Sequence, residues 1–196
     1  MHDFYRTIKK LSEGSYSEKR SRFLSFAMPV RTVGEVKEYV QEYRKVYYDA
    51  RHVCWAYMLG ADRSVFRAND DGEPSSTAGK PILGQINANE LTDILIIVVR
   101  YFGGIELGTS GLIVAYRKAA AEAITAAAIE ERTIDEEITI VFEYPYLNAV
   151  MHIVKEERAE IVAKKINTTC EMTLRIRKNL SERLTNRLNS RSLKTI

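Results

Sequence analysis

Apolar residues recur along the chain with two different periods, and the switches between them predict alternating strands and helices. Phe4 to Lys9 reads as a strand. After the turn signal Glu13-Gly14, a second strand is predicted from Tyr16 to Val30, centred on Phe23-Leu24-Ser25-Phe26 and bent or ended by Pro29. Thr32-Val33-Gly34-Glu35 has the form of a capping box, in which hydroxyl and carboxylate satisfy free amides at a helix start. Val33, Val36, Val40, Tyr43 and Tyr47 continue it at helical spacing to an end near Tyr48-Asp49. His52 to Leu59 is aromatic and β-rich, hence a strand closing on Gly60. The polar stretch Ala61 to Gly79 exceeds an ordinary connection, which marks it as functional or mobile. A short helix follows from about Ala78 to Asn89. The unbroken apolar run Ile94 to Val99 predicts a strand buried on both faces. A Gly-rich loop, Gly103 to Gly108, then leads through Ser110-Gly111 into a helix running to Ala128, whose many alanines give it a smooth surface for close packing.

At Ile129 to Arg132 the composition changes from Ala-rich to acidic, which places a domain boundary there: a first domain over 1–131 and a second over 132–196. Beyond it the pattern is strand (Ile138 to Phe142), helix opened by Pro145, strand (Glu160 to Ile166), strand (Met172 to Arg177) and helix (Ser181 to Arg191). That βαββα series is ferredoxin-like and needs a last strand from Leu193 to Ile196, a stretch that barely suffices. The fold class expected is α+β.

At 45% hydrophobic and 28% charged residues, the 196-residue chain has the composition of a globular protein able to build a core. It shows neither the basic-then-apolar start of a secretory signal nor an apolar stretch long enough for a bilayer, so a cytoplasmic location without membrane contact is expected. Cys54 and Cys170 stand far apart, and His2, His52 and His152 form no ligand spacing, so no transition-metal site or other cofactor is expected. Net charge is only +3, but it is uneven. From residue 164 onward nine basic residues face two acids, whereas the first 163 hold 20 basic and 24 acidic residues. A basic C-terminal stretch on a near-neutral protein is a candidate footprint for a phosphate backbone.

Two constellations could carry chemistry. Asp70, Asp71 and Glu73, within Arg67 to Pro81, could hold a hard cation through oxygen ligands, but they do not match the calcium-binding loop. Asn, Asp, Gly and Pro clusters more often build turns, and Ser76 or Thr77 stands where a helix cap is needed, so turn and cap architecture is the expectation. The second runs from Arg100 to Gly111. A buried strand delivering glycines to a helix N-terminus is the geometry that receives a phosphate, although neither a P-loop nor a dinucleotide fingerprint is present. Arg100 and Tyr101 beside that loop suit phosphate contact and base stacking. Ser75 or Ser110 with His52 and Asp70 could be drawn as a triad, but nothing in their spacing supports one.

In the second domain Arg183, Arg187 and Arg191 line one helix face while Leu180, Leu184 and Leu188 line another. Arg175 and Arg177 alternate with apolar neighbours on the preceding strand. These five arginines could extend a nucleic-acid footprint, or could be neutralised by acids such as Glu137 and Glu143 on the acidic first strand.

The run Asn69 to Leu83, which reads NDDGEPSSTAGKPIL, resembles the IMPACT/YigZ family. Ser21-Arg22-Phe23, Asp49-Ala50-Arg51-His52 with Ala56-Tyr57, and Val98-Val99-Arg100-Tyr101-Phe102-Gly103-Gly104 with Leu107-Gly108, Gly111-Leu112 and Ala115-Tyr116 agree with it, so that the likeness covers about residues 15–120. The resemblance implies a first domain like the second domain of the fifth small-subunit ribosomal protein and, as in the bacterial branch, a ferredoxin-like second one. It also implies a link to translational control, with RNA or the ribosome as partner. A regulatory N-terminal module of the eukaryotic relatives has no counterpart here, so its partner role does not transfer. The expectation is a non-catalytic groove for a phosphate-bearing ligand, lined by Arg67, Asp70, Asp71, Glu73, Thr77, Lys80, Arg100, Tyr101, Gly103, Gly104 and Ser110, with Arg51, His52 and Arg117 flanking it. The alternatives are a metal-assisted phosphate-ester or nucleotide hydrolase and a protein-interaction module.

Overall fold

A computed structural model describes residues 3–190 and the backbone of Lys194–Thr195, so the expected contribution of Arg191 lies outside the described residues. The chain is α+β and divides into two compact units, Tyr5–Arg132 and Thr133–Ile196 with the N-terminal residues up to Phe4.

The first unit is built on a five-stranded sheet of order β2-β3-β6-β4-β5, comprising β2 (Ser12–Glu18), β3 (Ser21–Pro29), β4 (His52–Leu59), β5 (Val65–Asn69) and β6 (Ile94–Tyr101), every pair antiparallel. Helix α1 (Val33–Val46) covers one face, and α2 (Gly79–Ala88) and α3 (Gly108–Thr125) cover the other. The central strand β6 therefore meets helices on both sides, which explains its uninterrupted apolar run. Ile94, Ile96 and Val98 pack toward α2 and α3, and Leu95, Ile97 and Val99 toward α1. All six are fully buried, each worth about 1.5–3 kcal/mol of transfer free energy. The alanines of α3 permit close approach: Ala115, Ala119, Ala120 and Ala123 are fully buried, and a Cβ on Gly14 would lie 2.5 Å from the Ala123 amide nitrogen.

Three departures from the predicted elements have local causes. The strand expected over Tyr16 to Val30 is a hairpin, turned at Lys19-Arg20 with φ of 45° and 64°. Two residues at positive φ make the turn that matches strand twist, but Asn-Gly is its usual sequence and Lys-Arg gives no such signal. The polar stretch after Gly60 contains β5, an edge strand whose Val65, Phe66 and Arg67 are exposed. The helix expected to reach Ala128 stops at Thr125, because Ile129–Thr133 forms β7, which pairs with β1 (Phe4–Ile8).

The second unit contains β8 (Asp135–Glu143), α4 (Leu147–Glu156), β9 (Glu160–Lys165), β10 (Thr169–Arg177), α5 (Lys178–Asn189) and β11 (Lys194–Thr195). The antiparallel order β11-β8-β10-β9 completes the ferredoxin-like pattern, and its last strand, only two residues long, pairs with Ile140 and Val141. Ile138, Ile140 and Phe142 of β8 meet Cys170, Met172, Leu174 and Ile176 of β10 beneath Val150, Ile153, Leu184 and Leu188 of the helices.

Arg175, Arg177, Arg183 and Arg187 of this unit face carboxylates. Arg175 sits opposite Glu137 in the β8–β10 register and hydrogen-bonds to Glu137 at 2.9 Å and Glu160 at 3.2 Å. Arg177 lies 4.0 Å from Asp3, and Arg183 3.1 Å from Glu157. Arg187 binds both Glu156 and Glu157. The hydrogen bond from Arg187 holds the Glu157 carboxyl below the usual carboxylate range. A depressed carboxyl stabilises the fold above its unfolded pKa and loses that contribution as pH falls through the folded value. Glu157→Gln is therefore expected to lower the urea midpoint at pH 7 and to make progressively less difference as the solution is acidified below the ordinary Glu range; a difference independent of pH would exclude this linkage.

Candidate ligand-binding site

Strands β4 and β6 run side by side so that His52 stands opposite Arg100, both on the sheet face that carries α2 and α3. Successive strand residues point to opposite faces, so Tyr101 belongs to the α1 face, where its hydroxyl donates to Asp49 at 2.9 Å. Arg67, paired with Tyr57, lies on that face too.

The acidic run between β5 and α2 is a scaffold of carboxylates turned onto backbone amides. Asp70 accepts from the amides of Ser76 (2.8 Å), Ala78 (3.0 Å) and Gly79 (2.8 Å), so the start of α2 is capped by Asp70 and not by Ser76 or Thr77. The Thr77 hydroxyl instead donates to the Pro74 carbonyl. Asp71 accepts from the Val53 amide at 2.7 Å and pairs with Arg44 of α1. Its carbonyl lies 2.7 Å from His52 Nδ1. A carbonyl can only accept, so Nδ1 carries a proton, and Nε2 lies 3.8 Å from Glu73 Oε2.

Glu73 is buried, and its Oε1 accepts from Arg100 at 2.6 Å and from the Tyr116 hydroxyl at 2.8 Å. Burial, reinforced by the neighbouring Cys54 and Glu73, pushes the Tyr116 phenol far up, so it remains a donor. The Cys54 sulfur lies 3.3 Å from that hydroxyl and 3.0 Å from the Asp70 carbonyl. Burial pushes this thiol up as well, which removes it as a nucleophile. Arg100 is only 5% exposed, with its guanidinium carbon 5.6 Å from the ring centres of both Phe23 and Phe102. Its buried Nε has no hydrogen-bond partner among the described residues.

Above this network opens a cavity of about 430 Å³. Arg51, His52, Glu73, Arg100 and Phe102 line it together with Gly108 and Thr109, the first residues of α3. That helix starts without a side-chain cap, which leaves its first-turn amides and the positive end of its dipole for another acceptor. The exposed Arg51 guanidinium lies 5.3 Å from the centre of the Phe102 ring.

Of the residues predicted from sequence, Arg51, His52, Glu73 and Arg100 line the cavity, while Asp70, Asp71 and Thr77 brace its wall. Gly103 serves close packing instead, since a Cβ there would fall 2.1 Å from the Arg20 carbonyl carbon and the loop lies directly against the β2–β3 turn. Gly104 has φ of 85° and open space around it. Lys80 and Arg117 are exposed on α2 and α3. Ser110 lines a second cleft of about 290 Å³ with Lys19, Leu107 and Val114. Sequence reasoning missed Tyr116, Phe102 and Arg44. The first two stand in the run that carries the family resemblance, but nothing in their spacing announces a hydrogen bond to Glu73 or a ring at the cavity. Among the described residues no group of three or more His, Cys, Asp or Glu converges as metal ligands would.

Removing the Asp70 carboxylate leaves three amides short of an acceptor. Asp70→Ala is expected to cost about 1–3 kcal/mol in urea denaturation, and Asp70→Asn, which keeps one oxygen, less. Equal losses in the two variants would show that the carboxylate acts by its charge alone.

A family model described as the Impact N-terminal domain matches residues 19–124. YvyE of Bacillus subtilis (strain 168), an IMPACT family member, is 35% identical over 158 residues, 81% of this chain and 72% of its own length. YigZ of Escherichia coli (strain K12), another member, is 38% identical over 134 residues, 67% of this chain and 66% of its own length. A solved structure described only as that of a hypothetical protein superposes with a TM-score of 0.76 at 27% identity, covering 100% of this chain and 98% of its own. On the family model and these relatives, the chain belongs to the IMPACT family.

Proposed function

We propose that the cavity between the ends of β4 and β6 and the start of α3 binds a phosphate-bearing ligand, with RNA as the first candidate. In this reading the protein is a cytoplasmic, non-catalytic partner of RNA or the ribosome in translation. The observation that carries it is the convergence of Arg51, the partly unpartnered Arg100 and the uncapped α3 N-terminus on one concave site. Arg100 is neutralised by Glu73, so the attraction comes from Arg51 and from about half a unit charge at the helix end, opposed by the Glu106 carboxylate on the same lining. Membership of the IMPACT family supports the link to translation. The hydrolase alternative asks Asp70, Asp71 and Glu73 to share one ion, whereas Asp70 faces amides, Asp71 an amide and Arg44, and Glu73 Arg100 and Tyr116. The second unit adds little to the footprint, because Arg175, Arg177, Arg183 and Arg187 already face carboxylates.

The test is titration of labelled single-stranded and structured RNA with the wild type and with Arg51→Ala over a range of salt. Arg51 is preferred to Arg100 because it is exposed, whereas Arg100→Ala would leave Glu73 as an uncompensated buried charge. Affinity is expected to fall steeply with salt in the wild type, and the variant to bind about tenfold more weakly with a salt slope reduced by about 0.7. Absence of binding at low salt, or binding indifferent to salt and to Arg51, would refute the proposal.

A further inference from the structure

The β2–β3 turn carries an unusual combination. Lys19 and Arg20 both occupy the left-handed region, at φ of 45° and 64°, where side chains other than Gly, Asn and Asp are disfavoured. Both are exposed. A turn of this shape folds most readily as Asn-Gly, so two long cationic side chains there work against local stability. Strain held at an exposed site is a pointer to function once a ligand site adjoins it.

A ligand site does adjoin it. Gly103, which follows Phe102 of the cavity, lies directly against the Arg20 backbone and donates its amide to Ser21 Oγ at 3.2 Å. Leu107 lines the cavity on one side and, on the other, the cleft containing Lys19, Ser110 and Val114. The two concavities thus share one wall. Glu18 and Glu106 are acids on this surface, and Glu18 accepts from the Tyr16 hydroxyl at 2.7 Å. The Phe102 ring is 40% exposed with the Arg51 guanidinium over it, an aromatic–guanidinium pair against which an unpaired base can stack and a base inside a duplex cannot. The cavity falls within the about 300–1,000 Å³ of clefts that hold one small ligand, so a longer chain has to leave it, and the Gly103 loop is the rim next to a basic surface.

We infer that the ligand is single-stranded RNA that fills the cavity with one nucleotide and crosses the Gly103 loop to place following phosphates on Lys19 and Arg20. This rests on the reading of the cavity as a phosphate site. It makes the strained turn the element that distinguishes a strand from a mononucleotide.

The decisive variant is Lys19→Asn with Arg20→Gly, which removes both charges and installs the sequence that the turn prefers. Its urea midpoint is expected to rise, so weaker binding cannot be ascribed to unfolding. A labelled six-nucleotide uridine RNA is expected to bind at least about tenfold more weakly to the variant, with a salt slope reduced by about 1.4 for two lost phosphate contacts. Uridine monophosphate, measured by calorimetry, is expected to bind both proteins alike. If the hexamer binds the double variant as tightly as the wild type while Arg51→Ala weakens it, the strand does not reach the turn and this inference fails, with the cavity reading intact. Equal weakening of hexamer and monophosphate overturns it too, since the turn would then be acting on the cavity. Failure of both probes to bind the wild type removes the cavity reading and this inference with it.

Discussion

The Glu73 carboxylate and the Arg100 guanidinium meet inside the first unit, with side chains that are almost wholly removed from solvent. Neither charge could remain there alone, because an isolated ion loses several kcal/mol of hydration that only a partner and further hydrogen bonds restore. The partners come from every neighbouring element. Strand β6 delivers Arg100, β3 supplies the Phe23 ring beside it, α3 contributes the Tyr116 hydroxyl, and the loop before α2 presents Glu73. Removing one member of such a pair costs about 3–5 kcal/mol, so the pair fixes where the loop, the helix and the strand end relative to one another. The cavity is the space left above that arrangement.

The same constraint explains how the acidic run is used. Asp70 and Asp71 would repel Glu73 if all three faced one point, and they do not. Asp70 turns to the start of α2, and Asp71 turns to the Val53 amide and to Arg44. Left-handed backbone at Asp71 and Gly72, with φ of 43° and 85°, is what reverses the chain between these directions. His52 is held by its contact to the Asp71 carbonyl, which aims the opposite edge of the ring at Glu73. The motif that looks in sequence like a cation loop is thus a rigid wall of the cavity.

Much of the fold was legible because it follows from local rules. Thr32 accepts from the Glu35 amide as its spacing predicts, although Glu35 reaches back to Arg31 and not to Thr32 itself. The run Ile94 to Val99 is the central strand, and the alternation in Met172 to Arg177 gives the correct inward face. The β2–β3 turn was not legible, because Lys-Arg carries none of the residues that relieve positive φ. Strand β5 was hidden because an edge strand exposed to water needs no apolar alternation. Within the site, Arg100 and Tyr101 were grouped although adjacent residues on a strand face apart, a distinction the period-two rule already contains. The Glu73–Tyr116 contact joins residues 43 apart in sequence, and no spacing rule reaches that far.

The pairing of β11 with β8 carries a consequence for how the chain comes into being. Lys194 and Thr195 sit against Val141 and Ile140, so the sheet edge beside β8 stays open until these two residues, about fifty positions further along the chain, have been synthesised. An open edge is a template for unwanted strand pairing. The first unit meets no such delay, since β7, its closing strand, ends at Thr133. On an emerging polypeptide the cavity-bearing half can therefore mature while its companion is still unfinished. The span of chain still enclosed by the ribosome sets how long that vulnerable edge must wait.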